Sequence, residues 1–270
     1  MKHTCLIAFD MDGTLLNKKK TISLRTLFYL RKLTRQGHKI ILASGRPSRA
    51  LTNYYKQLHL STPLICYNGA YCFSPSDKDF PIHEFEFPKE IIKSLIKELK
   101  PYMHNVMCET DTEIWIDQED QYLAKFFWYG KMHIHYGDLT QILDKDPMTM
   151  IVQMKENCTA TKEIEAIVSK YPEISVRFWT GSPYFELFFK QTSKGASIEE
   201  IAKYYGIDQN HIIVFGDAEN DIEMFHGAGT AVAMKNGKES LKDHATIVTE
   251  KDNDHNGIYH TLKKILKNLA

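Results

Sequence analysis

The 270-residue chain contains no apolar run long enough to cross a bilayer, which takes about 20 consecutive apolar residues as a helix. No membrane span is expected. It also lacks a secretory leader, because Asp10 interrupts the apolar stretch near the N-terminus and no cleavage site follows. A cytoplasmic location is therefore the expectation. There is no excess of one charge sign, with 34 Lys and Arg against 34 Asp and Glu. That excludes a broad basic footprint, so neither nucleic acid nor a membrane surface is an expected partner. The short run Lys18-Lys19-Lys20 reads as a solvated loop, with steering of an anionic substrate as the second reading. Cysteines number only five, scattered and without a Cys-x-x-Cys pair. Cys5, Cys66, Cys72, Cys108 and Cys158 are read as reduced thiols rather than a disulfide framework. No internal repeat or low-complexity segment occurs. The length accommodates one large domain or two modest ones.

What is present starts at the N-terminus. The apolar run Cys5 to Phe9 reads as a buried strand of a parallel sheet. It ends in Asp10-Met11-Asp12-Gly13-Thr14. Open α/β sheets bind ligands at the carboxyl ends of their strands, so this strand delivers two carboxylates to such a place. Side-chain alternation puts Asp10 and Asp12 on one side and Met11 on the other. Carboxylates that close raise each other's pKa unless a cation lies between them. A hard divalent ion with oxygen ligands, Mg²⁺ above all, suits the gap. Asp-x-Asp-Gly is also turn chemistry, so the tetrad needs support from the rest of the chain.

That support comes in order along the sequence. Ser23 reads as an N-cap and Gly37 as a stop, with Leu24, Leu27, Leu30 and Leu33 between them at helical spacing and Phe28 beside them. Lys39 to Ala43 reads as a second buried strand, ending at Ser44-Gly45-Arg46-Pro47. A hydroxyl and free N–H groups there hold a phosphoryl oxygen, although a helix N-cap explains Ser44 as well. A third strand, Leu64 to Tyr67, runs into Asn68-Gly69, which by itself is a strong hairpin signal. From about residue 85 to 188 the pattern changes to a helix at Ile91–Leu99, followed by alternating strands at 105–109, 113–117, 148–154, 175–180 and 184–189 and a helix near 161–170. Antiparallel strands with helices to one side read as an α+β unit. Within it, His133 and His135 share a strand face, but no third ligand stands at useful spacing, so an ordinary strand is favoured over a zinc site. The run Phe126-Phe127-Trp128-Tyr129 reads first as core or interface, and second as a sugar-stacking wall.

Ser193-Lys194-Gly195 then opens a helix with Ile198, Ile201, Ala202 and Tyr205 inward. A lysine at a helix start opposes the dipole, and that misfit marks it for another purpose. His211 to Phe215 is a further strong strand, ending in Gly216-Asp217-Ala218-Glu219-Asn220-Asp221. Carboxylates again stand at a strand's carboxyl end, with Asp217 placed to complete a metal site with Asp10 and Asp221 one turn on. Capping explains one or two of these acids but not their pairing with the Asp10 cluster. Thr230 to Met234 resembles another strand, and 257–269 a closing helix.

Asp10-x-Asp12-Gly13-Thr14, Ser44-Gly45-Arg46, Asn68-Gly69, Lys194-Gly195 and Gly216-Asp217 with Asn220-Asp221 together resemble, in order, the motifs of the haloacid dehalogenase (HAD) superfamily. The pattern is similar to the Cof-type branch, whose large α/β cap (type IIB) is inserted in mid-chain. The resemblance implies an α/β fold: a doubly wound, Rossmann-like parallel-sheet core from residues 1–84 and 189–270, with an inserted α+β cap at 85–188 that reads the substrate. It implies a Mg²⁺-dependent phosphatase. Asp10 is the nucleophile that forms an aspartyl phosphate, and Asp12 is the general acid and then base. Ser44, Gly45, Arg46, Asn68, Lys194 and Asn220 are implied phosphoryl or substrate contacts. Asp10, the backbone carbonyl of Asp12, Asp217 and Asp221, the last directly or through water, are the implied metal set. Family members that cleave carbon–halogen or carbon–phosphorus bonds lack an aspartate at the Asp12 position, so its presence favours phosphate esters.

The expected substrates are small phosphorylated metabolites, with sugar phosphates first. Alternatives are a cofactor-precursor phosphatase acting on a flavin nucleotide or pyridoxal phosphate, a phosphomutase, and a non-catalytic phospho-acceptor module. The chain is expected as a monomer or homodimer.

Overall fold

The computed structural model describes residues 4–127, 130, 132–179 and 181–268. Two compact units emerge, one running up to His83 and again from Ser193, the other spanning Glu84–Thr192. The second is thus an insertion in the first. In chain order the first unit starts with β1 (Leu6–Asp10), α1 (Leu24–Arg35), β2 (Lys39–Ala43), α2 (Ser48–Leu58), β3 (Leu64–Cys66), β4 (Tyr71–Phe73) and β5 (His83–Glu84). The insertion carries α3 (Lys89–Leu99), β6 (Met103–Glu109), β7 (Glu113–Ile116), α4 (Gln121–Phe126), β8 (His133–Tyr136), α5 (Leu139–Ile142), β9 (Thr149–Met154), α6 (Thr161–Val168), β10 (Ile174–Phe178) and β11 (Tyr184–Phe189). The chain then completes the first unit with α7 (Lys194–Tyr205), β12 (Ile212–Gly216), α8 (Ile222–His226), β13 (Thr230–Ala233), α9 (Glu239–Lys242), β14 (Ile247–Val248) and α10 (Gly257–Asn268).

The eight-stranded sheet has the order β14-β13-β12-β1-β2-β3-β4-β5. From β14 to β3 every pairing is parallel; β4 returns antiparallel to β3. Leu6 to Phe9 are wholly buried, as a strand covered on both faces requires. Strand order reverses direction at β1, whose neighbours are β2 on one side and β12 on the other. That is the switch point at which open α/β sheets form their crevice. Asp10 ends β1 beside Ala43, and Phe9 pairs with Phe215, so Ser44 and Asp217 follow the ends of the two strands flanking Asp10.

Ser23 caps α1 by accepting the Thr26 N–H. Leu27, Leu30 and Leu33 are buried, but Leu24 and Phe28 face solvent at 69% and 59% exposure. A strict three-residue repeat drifts about 60° per step around a 3.6-residue helix, so the first leucine leaves a stripe centred on Leu30. Asn68-Gly69 lies in the four-residue connection between β3 and β4, where Cys66 pairs with Tyr71.

In the inserted unit the sheet order is β10-β11-β9-β6-β7-β8. Its strands pair antiparallel except β7 and β8, which are parallel. This departs from the all-antiparallel expectation, because α4 carries the chain back across the sheet between them. Alternate strand residues divide into two apolar faces. Val106, Cys108, Trp115, Met150, Val152, Phe185 and Leu187 pack with α3, α5 and α6. Met107, Ile114, Ile116, Ile151 and Tyr184 pack with Leu123 and Phe127 of the α4 segment. Helices therefore lie on both faces, unequally, rather than on one. His135 hydrogen-bonds Glu113 at 2.9 Å and stacks on Trp115. Of the expected aromatic run, Trp128 and Tyr129 lie outside the described residues, as do Thr180 at the end of one expected strand and Leu269 at the end of the expected closing helix.

Candidate active site

The site is assembled from the loops that leave β1, β2, β3 and β12 and from the start of α7. Beyond Asp10 the chain turns instead of staying extended: the N–H of Leu15 donates to the Asp10 carbonyl and that of Leu16 to the Met11 carbonyl. This separates the two motif aspartates. Asp10 Oδ1 receives the ammonium of Lys194 at 2.5 Å. Asp12 is instead gripped by Arg46, whose Nε and Nη2 each donate to one carboxylate oxygen at 2.6 Å. Lys20 Nζ adds a contact of 2.5 Å to Asp12 Oδ1. The pairing expected between Asp10 and Asp12 around one cation is thus replaced by two separate partners.

A third and a fourth carboxylate come from the far end of the sequence. Among the described residues, Asp10, Asp217 and Asp221 bring one oxygen each within 4.8 Å of one another. Asp217 Oδ1 accepts the Thr14 hydroxyl at 2.7 Å. Gly13 has φ +84°, and a Cβ there would run into the Asp217 carboxylate; only glycine lets the first loop lie against the last. Asp221 is fully buried. Its Oδ1 takes Lys194 at 2.7 Å, and its Oδ2 takes the N–H groups of Asp217 and Ala218 at 2.9 and 3.1 Å. Asp221 therefore holds the loop in shape and anchors the lysine.

Ser193 caps α7 by accepting the Ala196 N–H, and Lys194 begins the helix with 0% exposure. A buried ammonium survives only if paired. Burial would lower its pKa, but Asp10 and Asp221 outweigh that and raise it, so Lys194 is charged. The reverse holds for the carboxylates. Burial is the main force pushing Asp10 well above the usual range; Lys194 opposes it while Asp221 and Asp217 add to it. Asp217 is pushed up to about 6, chiefly by burial and with Asp221 adding, against the Thr14 hydrogen bond. For Asp12, burial also pulls upward, but the Arg46 guanidinium and then Lys20 overcome it and hold the carboxyl below its ordinary value.

The phosphoryl-side residues interlock. Ser44 is buried, and its Oγ accepts the Arg46 N–H at 3.1 Å. The Asn68 N–H donates to the Ser44 carbonyl at 3.0 Å, and a Cβ on Gly45 would press on the Asn68 side chain. Asn68 sits in the left-handed region at φ +55°, which asparagine tolerates better than most residues. Its Oδ1 accepts Asn220 Nδ2 at 3.0 Å. Gly69, at φ +103°, leaves no room for a side chain against the Ser193 carbonyl. The loops after β2, β3 and β12 and the start of α7 are thereby tied together.

The sequence placed Asp10, Lys194, Asp217 and Asp221 in one constellation, and the structure brings them together. Arg46, expected to touch substrate, spends two donors on Asp12; its buried Nη1 has no hydrogen-bond partner. Two contributors were missed. Thr14 passed as part of a motif, and its hydroxyl reaches a carboxylate 203 positions away. Lys20 passed as part of a solvated run, which the contact with Asp12 corrects for that residue. Lys18 and Lys19 remain exposed.

Three carboxylates against one ammonium leave an excess of negative charge in a buried place. An all-oxygen donor set of this kind fits a hard divalent cation, and Asp10 and Asp217, whose pKa values are raised, are the residues a cation would return to the ionised form.

The sequence pattern of the haloacid dehalogenase-like hydrolases matches residues 7–262. The chain belongs to that family. It is an HAD-like, Cof-type phosphatase, similar to relatives and solved structures spanning its whole length. One is 5-amino-6-(5-phospho-D-ribitylamino)uracil phosphatase YitU of Bacillus subtilis, 32% identical over 96% of each chain. Another is pyridoxal phosphate phosphatase YbhA of Escherichia coli, 26% identical over 91% of this chain and 93% of that one. The HAD subclass IIB sugar phosphatase BT4131 superposes with a TM-score of 0.81 at 25% identity, covering 99% of this chain and all of the other. Among the described residues, no helix of this HAD phosphatase is long and apolar enough to cross a membrane.

Proposed function

We propose that this phosphatase hydrolyses phosphate monoesters of small polyhydroxylated metabolites with Mg²⁺. A phosphoribitylamino-pyrimidine is the first candidate and plain sugar phosphates follow. The relative at 32% identity supports that ranking, and the two candidates share a phosphorylated polyol end. The observation that carries the reaction is the wholly buried Lys194 ammonium between Asp10 and Asp221, beside a carboxylate poised to attack.

Asp10 and Asp217, supported by Asp221, would hold the Mg²⁺, which supplies positive charge to the phosphoryl oxygens. Asp10 Oδ2, which accepts no hydrogen bond from a described residue, is the nucleophile. It bonds to phosphorus as the bond to the leaving oxygen breaks, giving an aspartyl phosphate and an alcohol. Lys194 and the Ser44 hydroxyl neutralise charge on the phosphoryl group. The proton for the alcohol passes through the Lys20–Asp12 hydrogen bond. Asp12, which Arg46 holds ionised and in place, then takes a proton from the water that releases inorganic phosphate and restores Asp10. The inserted unit selects the leaving group.

Phosphate release from a panel of phosphorylated metabolites, with and without Mg²⁺, tests this reading. Wild type should release phosphate only with metal, and Asp10→Asn should lose about 10³-fold or more of kcat. If wild type releases none from any ester but becomes stably phosphorylated, the phospho-acceptor reading replaces this one.

A further inference from the structure

The sheet of the inserted unit carries its three main helices on one face. On the other face the apolar cover is an aromatic surface instead. Tyr122 stacks on Tyr184 at 5.0 Å between ring centroids and on Phe126 at 6.1 Å. Trp179 lies 5.0 Å from Phe126, 5.8 Å from Tyr184 and 6.3 Å from Phe127. These rings are not sealed: Tyr122 is 49% exposed and Phe126 37%. Large aromatics left in water cost free energy unless something flat covers them.

The same face carries polar groups beside the rings. Gln153 pairs directly with Tyr184 across the β9–β11 ladder, so the two side chains are neighbours on that face. Its side-chain amide has no hydrogen-bond partner among the described residues. Two positions further along β11, Glu186 is held by Arg177 Nη1 at 2.6 Å. Tyr184 itself is fixed from below, its hydroxyl donating to the buried Asp120 carboxylate at 2.6 Å. A rigid aromatic surface with an unspent amide at its side is the arrangement that binds a flat heteroaromatic ring: stacking holds the ring, and the amide's donor and acceptor match an O=C–N–H edge.

We propose that Tyr122, Phe126, Trp179 and Gln153 form a ring-binding face that selects phosphate esters whose leaving group carries a pyrimidinedione or similar flat heterocycle. This rests on the phosphatase reading above and deepens it: the face distinguishes a ring-bearing ester from a plain sugar or polyol phosphate. Two relatives whose names state a substrate act on esters with such a ring, a uracil in one and a pyridoxal in the other.

The test compares two esters with the same phosphorylated end, 5-amino-6-(5-phospho-D-ribitylamino)uracil and ribitol 5-phosphate, under the Mg²⁺ conditions of the activity assay. Wild type should favour the ring-bearing ester. Trp179→Ala and Tyr122→Ala should each lower the ratio of the two kcat/KM values about tenfold, a typical effect of losing one stacking partner. The loss should lie in KM for the ring-bearing ester rather than in kcat. Trp179→Phe should restore most of it, and Gln153→Ala, on a side chain that holds nothing else in place, should lower the ratio severalfold. The proposal is overturned if wild type hydrolyses both esters equally well, or if the variants slow both alike. In either case the phosphatase reading survives. Failure of wild type to hydrolyse any ester would remove both.

Discussion

Both units bury charged side chains, but to different ends. In the first unit Asp10, Arg46, Lys194 and Asp221 are buried close to one another at the carboxyl ends of the parallel strands. In the inserted unit Asp120 is buried too, and its oxygens are occupied: it caps α4 by accepting from the N–H groups of Tyr122 and Leu123, and it accepts the Tyr184 hydroxyl. A carboxylate saturated by neutral donors serves the fold. The first unit's three carboxylates share one ammonium and keep unmatched negative charge, with Asp10 and Asp217 pushed upward. Unbalanced buried charge is costly to stability and useful to chemistry, because a substrate or metal completes it.

The hardest blow to this contrast is Lys194→Ala. Removing the one ammonium leaves Asp10 and Asp221 buried without it, and such a loss costs about 3–5 kcal/mol. Thermal or denaturant unfolding should show it, together with loss of phosphatase activity. Next comes Asp12 and its guanidinium. Arg46→Lys keeps the charge but cannot grip both carboxylate oxygens; kcat should fall about tenfold or more while the unfolding midpoint moves little. A large stability loss with kcat intact would instead make Arg46 a structural residue.

The contrast sharpens with pH. Asp217 lies near 6 in the folded protein, above its unfolded value, so it binds a proton more readily when folded. In metal-free protein its contribution to stability is greatest below its unfolded pKa and is lost as pH rises through about 6. A cation needs the ionised form, so Mg²⁺ affinity, measured by calorimetry, should fall by up to about tenfold per unit as pH drops below 6. Pairing with Arg46 and Lys20 works oppositely on Asp12, whose contribution is present above its unfolded pKa and lost as pH falls through the lowered folded value. The smallest effect belongs to the inserted unit. Asp120→Ala should cost about 1–2 kcal/mol, the loss of a cap, with kcat on ribitol 5-phosphate close to that of wild type. A collapse of kcat there would mean that the two buried carboxylates differ less than their surroundings suggest.

Much of the site was legible because strand ends are legible. An apolar run followed by Asp10, another followed by Ser44, and a third followed by Gly216-Asp217 can be read without any contact map, since buried parallel strands are continuous apolar segments. The dipole misfit of Lys194 was also readable. Lys20 was not: nothing in a run of three lysines says which one turns inward, and its partner is set by the loop after β1. Nor was the parallel pairing of β7 with β8, since strand direction depends on where α4 sends the chain and not on residue alternation. Leu24 and Phe28 misled because a three-residue repeat is not a full helical turn.

By itself the sequence determined which residue types stand at the ends of which strands, and hence the family and its phosphatase chemistry, because local periodicity and chain order are properties of the string. The tertiary structure decided who meets whom: that Asp12 is held by Arg46 and Lys20, that Asp10 shares Lys194 with Asp221, and that Trp179 lies beside Phe126 and Tyr184. These contacts join residues 34, 184 and 53 positions apart, and only the packed sheet and its loops set such distances, since charge and ring contacts depend on position in space rather than on spacing along the chain.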